Sequence, residues 1–169
     1  MIGDTTVAAG DNVWEGAIVP LHDAPIVLPH LPGVYMIRHT PSYKVYVGSS
    51  QSLLQRMHTH VQSLMLGTHY NQRLQALFRT EGIDKFDVVI VHVFPASMPV
   101  EGLVTAEQKV IDETRAWMPS YGFNVYRNAD YRRTRHASSP GQGRNAPAIY
   151  LKGHDPSPSP DPTRGGKKK

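Results

Sequence analysis

The chain contains no cysteine. Disulfides, thiolate zinc sites and cysteine nucleophiles are therefore excluded, and the redox compartment stays open. Long apolar runs are missing too. No stretch approaches the roughly 18–20 residues that a spanning helix needs, so no membrane partner is expected. The opening MIGDTTVAAGDNVWEG has no basic region followed by an apolar one. No secretory signal is expected from it, and a cytoplasmic setting is the default. Two common catalytic loops are also lacking. There is no glycine-rich phosphate loop of the Walker type and no Gly-x-Ser-x-Gly elbow; SSPGQG lies outside any strand-to-helix context. These absences set aside nucleotide hydrolases, nucleotide cofactors and triad esterases.

What is present suits one modest domain with extensions: 169 residues, 40% of them hydrophobic. The net charge of +4 is unevenly placed. From Asp130 to Lys169 nine Lys and Arg stand against three Asp, a balance of +6, while the first 129 residues hold nine basic and eleven acidic residues, a balance of −2. A basic C-terminal stretch predicts a polyanionic partner without naming it. From Tyr131 onward Ser, Pro, Gly and basic residues dominate, a composition that predicts disorder. The expected division is an N-terminal extension over 1–30, a core domain over 31–129 and a basic tail over 130–169. No internal repeat is visible.

Within the core, alternating apolar residues predict a strand from Gly33 to Arg38 and another from Tyr43 to Gly48, with HTPSYK as the turn. Ser49 or Ser52 is placed to cap a helix carrying Leu53, Met57, Val61 and Leu64 on one face, with Gly67 as its stop. A second helix is expected from about Asn71 to Thr80, and Gly82 ends it. FDVVIVHVF, Phe86 to Phe94, is the strongest strand, and a third helix should cover roughly Val100 to Ala116. AIVPLH and PIVLP in the extension are expected as short extended pieces packed on the core. The predicted fold class is α/β (α+β): a small three-stranded antiparallel sheet flanked by helices.

Several polar residues need an explanation. Arg56 and His60 are four apart and share a helix face beside the apolar stripe. Such a pair is most often simply solvated. Glu107 falls four residues after Leu103, inside the apolar stripe of the third helix. Burying that carboxylate costs several kcal/mol unless a cation meets it. Two partners stay open, an Arg or Lys, or a divalent metal held by one hard carboxylate and waters. His58, His60 and His69 match no common zinc spacing.

Gly33-Val34-Tyr35 followed by Tyr46-Val47-Gly48 resembles the signature of the GIY-YIG nuclease superfamily, with Val34 and Val47 in place of isoleucine. Residues farther along the chain strengthen the likeness by their order. Arg56 and His60 stand where the family carries its helix arginine and, in the phage-intron homing branch, a histidine. His69 matches a further histidine of that branch, Glu107 the metal-binding glutamate, and Asn124 the asparagine near the end of the domain. The resemblance spans roughly Leu31 to Ala129.

It implies a DNA endonuclease that hydrolyses phosphodiester bonds with one divalent metal, magnesium or manganese, in the host cytoplasm if the chain is phage-encoded. Tyr35, Tyr46, Arg56, His60 and Glu107 would be catalytic, with Glu107 holding the metal. Gly33, Gly48, His69 and Asn124 would support them. An unperturbed tyrosine has a pKa near 10 and is a poor base at neutral pH, so Tyr35, alone or shared with Tyr46, would need nearby positive charge or a proton acceptor: Arg56 would lower its pKa or clamp the phosphate, and His60 would relay protons or bind phosphate. Arg132, Arg133 and Arg135 in the tail would add DNA affinity without base readout. Two other classes compete: a catalytically silent DNA-binding module of the same fold, and an RNA-binding or structural protein acting through its tail.

Overall fold

In the computed structural model, which describes residues 13–130, alternation along the central strands separates two cores. The sheet is built from β1 (Ile18–Pro20), β2 (Gly33–His39), β3 (Val45–Ser50) and β4 (Phe86–Val93), in the order β1-β4-β2-β3, every neighbouring pair antiparallel. The helices are α1 (Ala24–Val27), α2 (Leu53–Met65), α3 (Gln72–Glu81) and α4 (Val100–Thr114). Successive side chains on a strand point to opposite faces. Tyr35, Ile37, Tyr46, Val88 and Ile90 accordingly join one core with residues of α1, α2 and α3, among them Ala24, Leu53, Met57 and Leu74. Val34, Val45 and Val47 join a second core with Val110 and Ile111 of α4.

The expected three strands become four. Ile18, Val19 and Pro20 pair with Val89, Val88 and Asp87. This three-residue strand, ending in proline, is too short to show alternation. Its pairing covers an edge of β4 that would otherwise expose unpaired backbone groups. The segment Ala24–Val27, which overlaps the expected extended piece PIVLP at 25–29, is instead one helical turn entered through Pro25. Leu21, Ala24 and Leu28 are buried in the first core, so these residues are built into the domain's packing.

Most other elements lie where the periodicity placed them. Ser52 caps α2 by accepting the Gln55 N–H, and Asn71 caps α3 by accepting that of Leu74. Gly82, at φ 81°, ends α3 in a conformation that L side chains rarely adopt. β3 begins at Val45 because Tyr43, at φ 58°, still belongs to the turn. α4 ends at Thr114, where Arg115 turns left-handed at φ 53°.

Candidate active site

Tyr35 stands on β2 directly opposite Gly48 of β3. Between Val34 and Tyr35 the pairing of β2 with β4 slips by one residue, so Val34 faces His92 and Tyr35 faces Ile90. Such irregularities re-aim nearby side chains. The Tyr35 ring lies over Gly48: a Cβ there would fall 2.5 Å from the phenol oxygen and 2.7 Å from Cζ. Glycine is required at this position by close approach. At Gly33 the obstruction is different, since a Cβ would sit 2.5 Å from the His92 carbonyl oxygen and 2.8 Å from Leu53 Cδ1.

α2 brings Arg56 and His60 to this hairpin. Arg56 Nε donates to the Tyr35 oxygen at 3.2 Å, and its terminal nitrogen donates to the Tyr70 hydroxyl at 3.3 Å. His60, one turn on, is almost wholly buried rather than solvated. Its Nε2 lies 2.7 Å from the Tyr35 oxygen and its Nδ1 lies 2.7 Å from His69 Nε2. The hydroxyls of Tyr46 and Tyr70 are hydrogen-bonded to each other. Tyr70 stacks on His69, with ring centroids 4.6 Å apart. The guanidinium of Arg56 is held above its ordinary pKa, first by charge interaction with Tyr35 and then with Tyr70 and Tyr46, against an opposing contribution from burial. His69 moves the other way, to about 4, because burial and the Arg56 charge disfavour its protonated form, outweighing a raising contribution from the Asn71 backbone.

Glu107 approaches from the other side. Ser49 follows Gly48 on β3, so its side chain points to the α4 face, where its hydroxyl donates to Glu107 Oε2 at 2.7 Å. The carboxylate is buried, at 4% exposure. The Tyr35 group and the acid thus reach consecutive residues of one edge strand from opposite faces of the sheet. Asn124 ties the end of the chain to that strand. It accepts the Val47 N–H at 2.8 Å and donates to the Val47 carbonyl at 3.0 Å.

The structure therefore gathers Tyr35, Arg56, His60 and His69 into one hydrogen-bonded group and links Tyr46 to it through Tyr70. It keeps Glu107 on the far face of β3 and makes Asn124 a clamp on the strand. Arg132, Arg133, Arg135 and the disorder expected of the tail lie outside the described residues. Sequence reasoning missed Tyr70, Ser49, Asn71 and Gln75. Tyr70 and Asn71 directly follow His69, in a short stretch between helices with no periodicity to mark it.

Among the described residues, no three or more of His, Cys, Asp and Glu gather into a group able to hold a metal ion. The donor chemistry at Glu107 is one hard carboxylate. That fits an ion such as magnesium, which keeps several waters and takes further oxygens from a phosphate. It does not fit zinc, which is held by three or four protein ligands.

Comparison with known proteins agrees with this geometry. Residues 31–121 match the model of the GIY-YIG catalytic domain. A glutamate-to-alanine mutant of the catalytic domain of intron endonuclease I-TevI is 27% identical, covers 57% of this chain and 94% of its own, and superposes with a TM-score of 0.51. The catalytic domain of homing endonuclease I-TevI is likewise 27% identical, with 56% and 98% covered and a TM-score of 0.51. No match is found among the curated proteins. The family model spans more than half of the chain and contains both tyrosines, both glycines, Arg56, both site histidines and Glu107: this protein belongs to the GIY-YIG nuclease family.

Proposed function

We propose that this chain is a DNA endonuclease that hydrolyses phosphodiester bonds with the help of magnesium or manganese. Divalent-metal use is general among nucleases of this family. One observation supports the reading most. The Tyr35 oxygen is held between Arg56 and His60 beside Gly48, one residue along β3 from the serine bonded to Glu107. A scissile phosphate laid across this edge meets a phenol and a guanidinium on one face and a carboxylate on the other.

Each residue then has a physical task. The positive charge of Arg56 favours the anionic form of the Tyr35 phenol. With its own proton given up to solvent, Tyr35 takes a proton from a water molecule, and the water oxygen bonds to phosphorus. The bond from phosphorus to the leaving sugar oxygen breaks, and that oxygen takes a proton from solvent. Tyr35 is fully covered in the free chain, and half-buried Arg56 is bonded to it. A phosphate that draws the terminal nitrogen of Arg56 off Tyr70, with Nε left on the phenol oxygen, opens the cover over the phenol and gains a donor for its growing charge. Hydrogen bonds at catalytic groups commonly rearrange in this way on substrate binding. A divalent ion at Glu107 would supply charge neutralisation at the phosphate and the leaving oxygen.

The test is a plasmid-nicking assay with added magnesium, comparing the wild type with Tyr35→Phe. The variant keeps the ring and its packing. Its rate should fall by about a hundredfold or more, the range for loss of a general base. Near wild-type cleavage by the variant would remove Tyr35 from the reaction. DNA binding without any cleavage by the wild type would leave a silent DNA-binding module. The basic tail has a separate signature. Deleting residues 131–169 removes nine basic charges and two acidic ones. For every phosphate that the tail neutralised, the slope of log affinity against log salt should fall by about 0.9. An unchanged slope would show that the tail is not a DNA anchor.

A further inference from the structure

The proton positions in the buried row from His69 to Tyr35 follow from one neighbour that has no choice. The Asn71 main-chain N–H is directed at His69 Nδ1 at 3.1 Å. A main-chain N–H can only donate, so His69 Nδ1 carries a lone pair. The Asn71 carbonyl lies near the same nitrogen, but farther, at 3.4 Å. A proton on Nδ1 aimed at that carbonyl would face the N–H head-on, so the shorter contact decides. Burial holds the His69 pKa at about 4, so the ring is neutral near pH 7 and its proton is on Nε2. Nε2–H then donates to His60 Nδ1 at 2.7 Å. A proton on His60 Nδ1 would need a lone pair on His69 Nε2, which would move the His69 proton back against the Asn71 N–H. His60 therefore carries its proton on Nε2 and donates it to the Tyr35 oxygen at 2.7 Å.

We propose that the main-chain N–H of Asn71, acting through His69, fixes His60 as a hydrogen-bond donor to Tyr35, so that Asn71 and His69 are positioning residues for the phenol oxygen. Together with Arg56, His60 then gives Tyr35 two N–H donors. The phenol's own proton is turned away from both, and an anionic oxygen would be held by both. The polarity is opposite to that of a serine–histidine pair, in which the histidine accepts the proton of the nucleophile. His60 is not the acceptor of the Tyr35 proton.

The position of Asn71 is fixed independently of the site. Its side chain caps α3 through Leu74 N at 3.0 Å and donates to the Phe123 carbonyl at 2.7 Å. Gln75 accepts the His69 main-chain N–H at 3.0 Å and donates to the Leu64 carbonyl at 3.0 Å. A helix cap thus settles the tautomer of a site histidine two hydrogen bonds away from the reacting oxygen. The importance of this for catalysis rests on Tyr35 being the base, but the tautomers themselves do not.

The experiment uses the full chain labelled with [15N]histidine. Long-range proton–nitrogen correlation spectra at pH 7 distinguish Nδ1–H, Nε2–H and doubly protonated rings, with signals assigned from His60→Gln and His69→Gln variants. Both His60 and His69 should be in the Nε2–H form. A Nδ1–H or doubly protonated His60 in the wild type overturns the proposal. His69→Leu should release His60 into a mixture of tautomers and slow single-turnover cleavage by at least about tenfold, since a wrong tautomer removes a bond to the reacting group. His69→Gln, which keeps an N–H near the place of Nε2, should recover most of that loss. Should His60 stay wholly Nε2–H in His69→Leu, Asn71 and His69 are not what sets it. Should its tautomers mix while cleavage is unchanged, the positioning role is wrong. Correct tautomers in a wild-type chain that fails to cleave would fault the nuclease reading alone.

Discussion

The two faces of the sheet solve opposite problems around β3. On the α2–α3 face, polar rings and a guanidinium are buried together and satisfy one another: Tyr35, His60 and His69 form a row, and Arg56, Tyr70 and Tyr46 close around it. On the α4 face the surroundings are aliphatic, with Val34, Val45, Val47, Val110 and Ile111. There a single carboxylate is buried beside a serine hydroxyl. The first arrangement is organised by the protein, because its buried polar side chains are hydrogen-bonded to one another, which offsets the cost of desolvating them. The second sets one acid, bonded to the Ser49 hydroxyl, among apolar side chains, where a charge is costly to bury. The contrast teaches that one face prepares the phenol, while the other presents an anion suited to an ion or to the charge that substrate brings.

Glu107→Ala is the strongest way to break this comparison. Cleavage should fall by about a thousandfold or more, since metal-ion stabilisation is worth several kcal/mol. The tautomers of His60 and His69 on the opposite face should not change in histidine-labelled spectra. Substantial magnesium-dependent cleavage by the folded variant would remove the acid from the reaction. Its melting temperature without metal measures what the acid does for the fold: little change or a rise would show that its burial cost is at least as large as what its contacts return. A large fall would identify a structural ion pair instead.

Gly48→Ala strikes the other face alone. The new methyl would lie 2.5 Å from the Tyr35 oxygen and 3.2 Å from Tyr46 Cε1, and both rings are buried. The phenol must shift out of line with His60 and Arg56. A displacement of that size should cost on the order of a hundredfold in single-turnover rate. Wild-type cleavage in the alanine variant would mean that the position of the phenol relative to β3 is unimportant.

The smallest effect is on stability. The folded pKa of His69, about 4, lies below the ordinary value of 6.5. The unfolded chain therefore binds a proton in the window between them that the folded chain does not. The stabilisation is fully present above about pH 6.5 and is lost as pH falls toward 4, by roughly 3 kcal/mol for this group. Melting temperature should drop across that window, and the drop should be shallower in His69→Gln. His39, also lowered by burial, acts in the same direction in both proteins, so the difference between the two curves is the quantity to read. Parallel curves would show that His69 is not the group responsible.

The sequence by itself determined what local patterning can encode. Alternation set two strands with Tyr35 and Gly48 on a shared hairpin. Helical spacing put Arg56 and His60 on one side of α2, and the apolar stripe of α4 exposed Glu107 as an acid on an inward face. Tertiary structure decided what depends on partners distant in the chain. β1 is too short to carry a pattern, and only its pairing with β4 makes it a strand. The resemblance supplied Glu107 as a site residue, but its face relative to Tyr35 follows from α4 packing under the sheet while α2 packs over it. His69, Tyr70 and Asn71 occupy a loop without periodicity. Their meeting with His60, Tyr46 and Phe123 is set by how α2, α3 and the end of the domain pack, and so is the direction in which each hydrogen bond of the row runs.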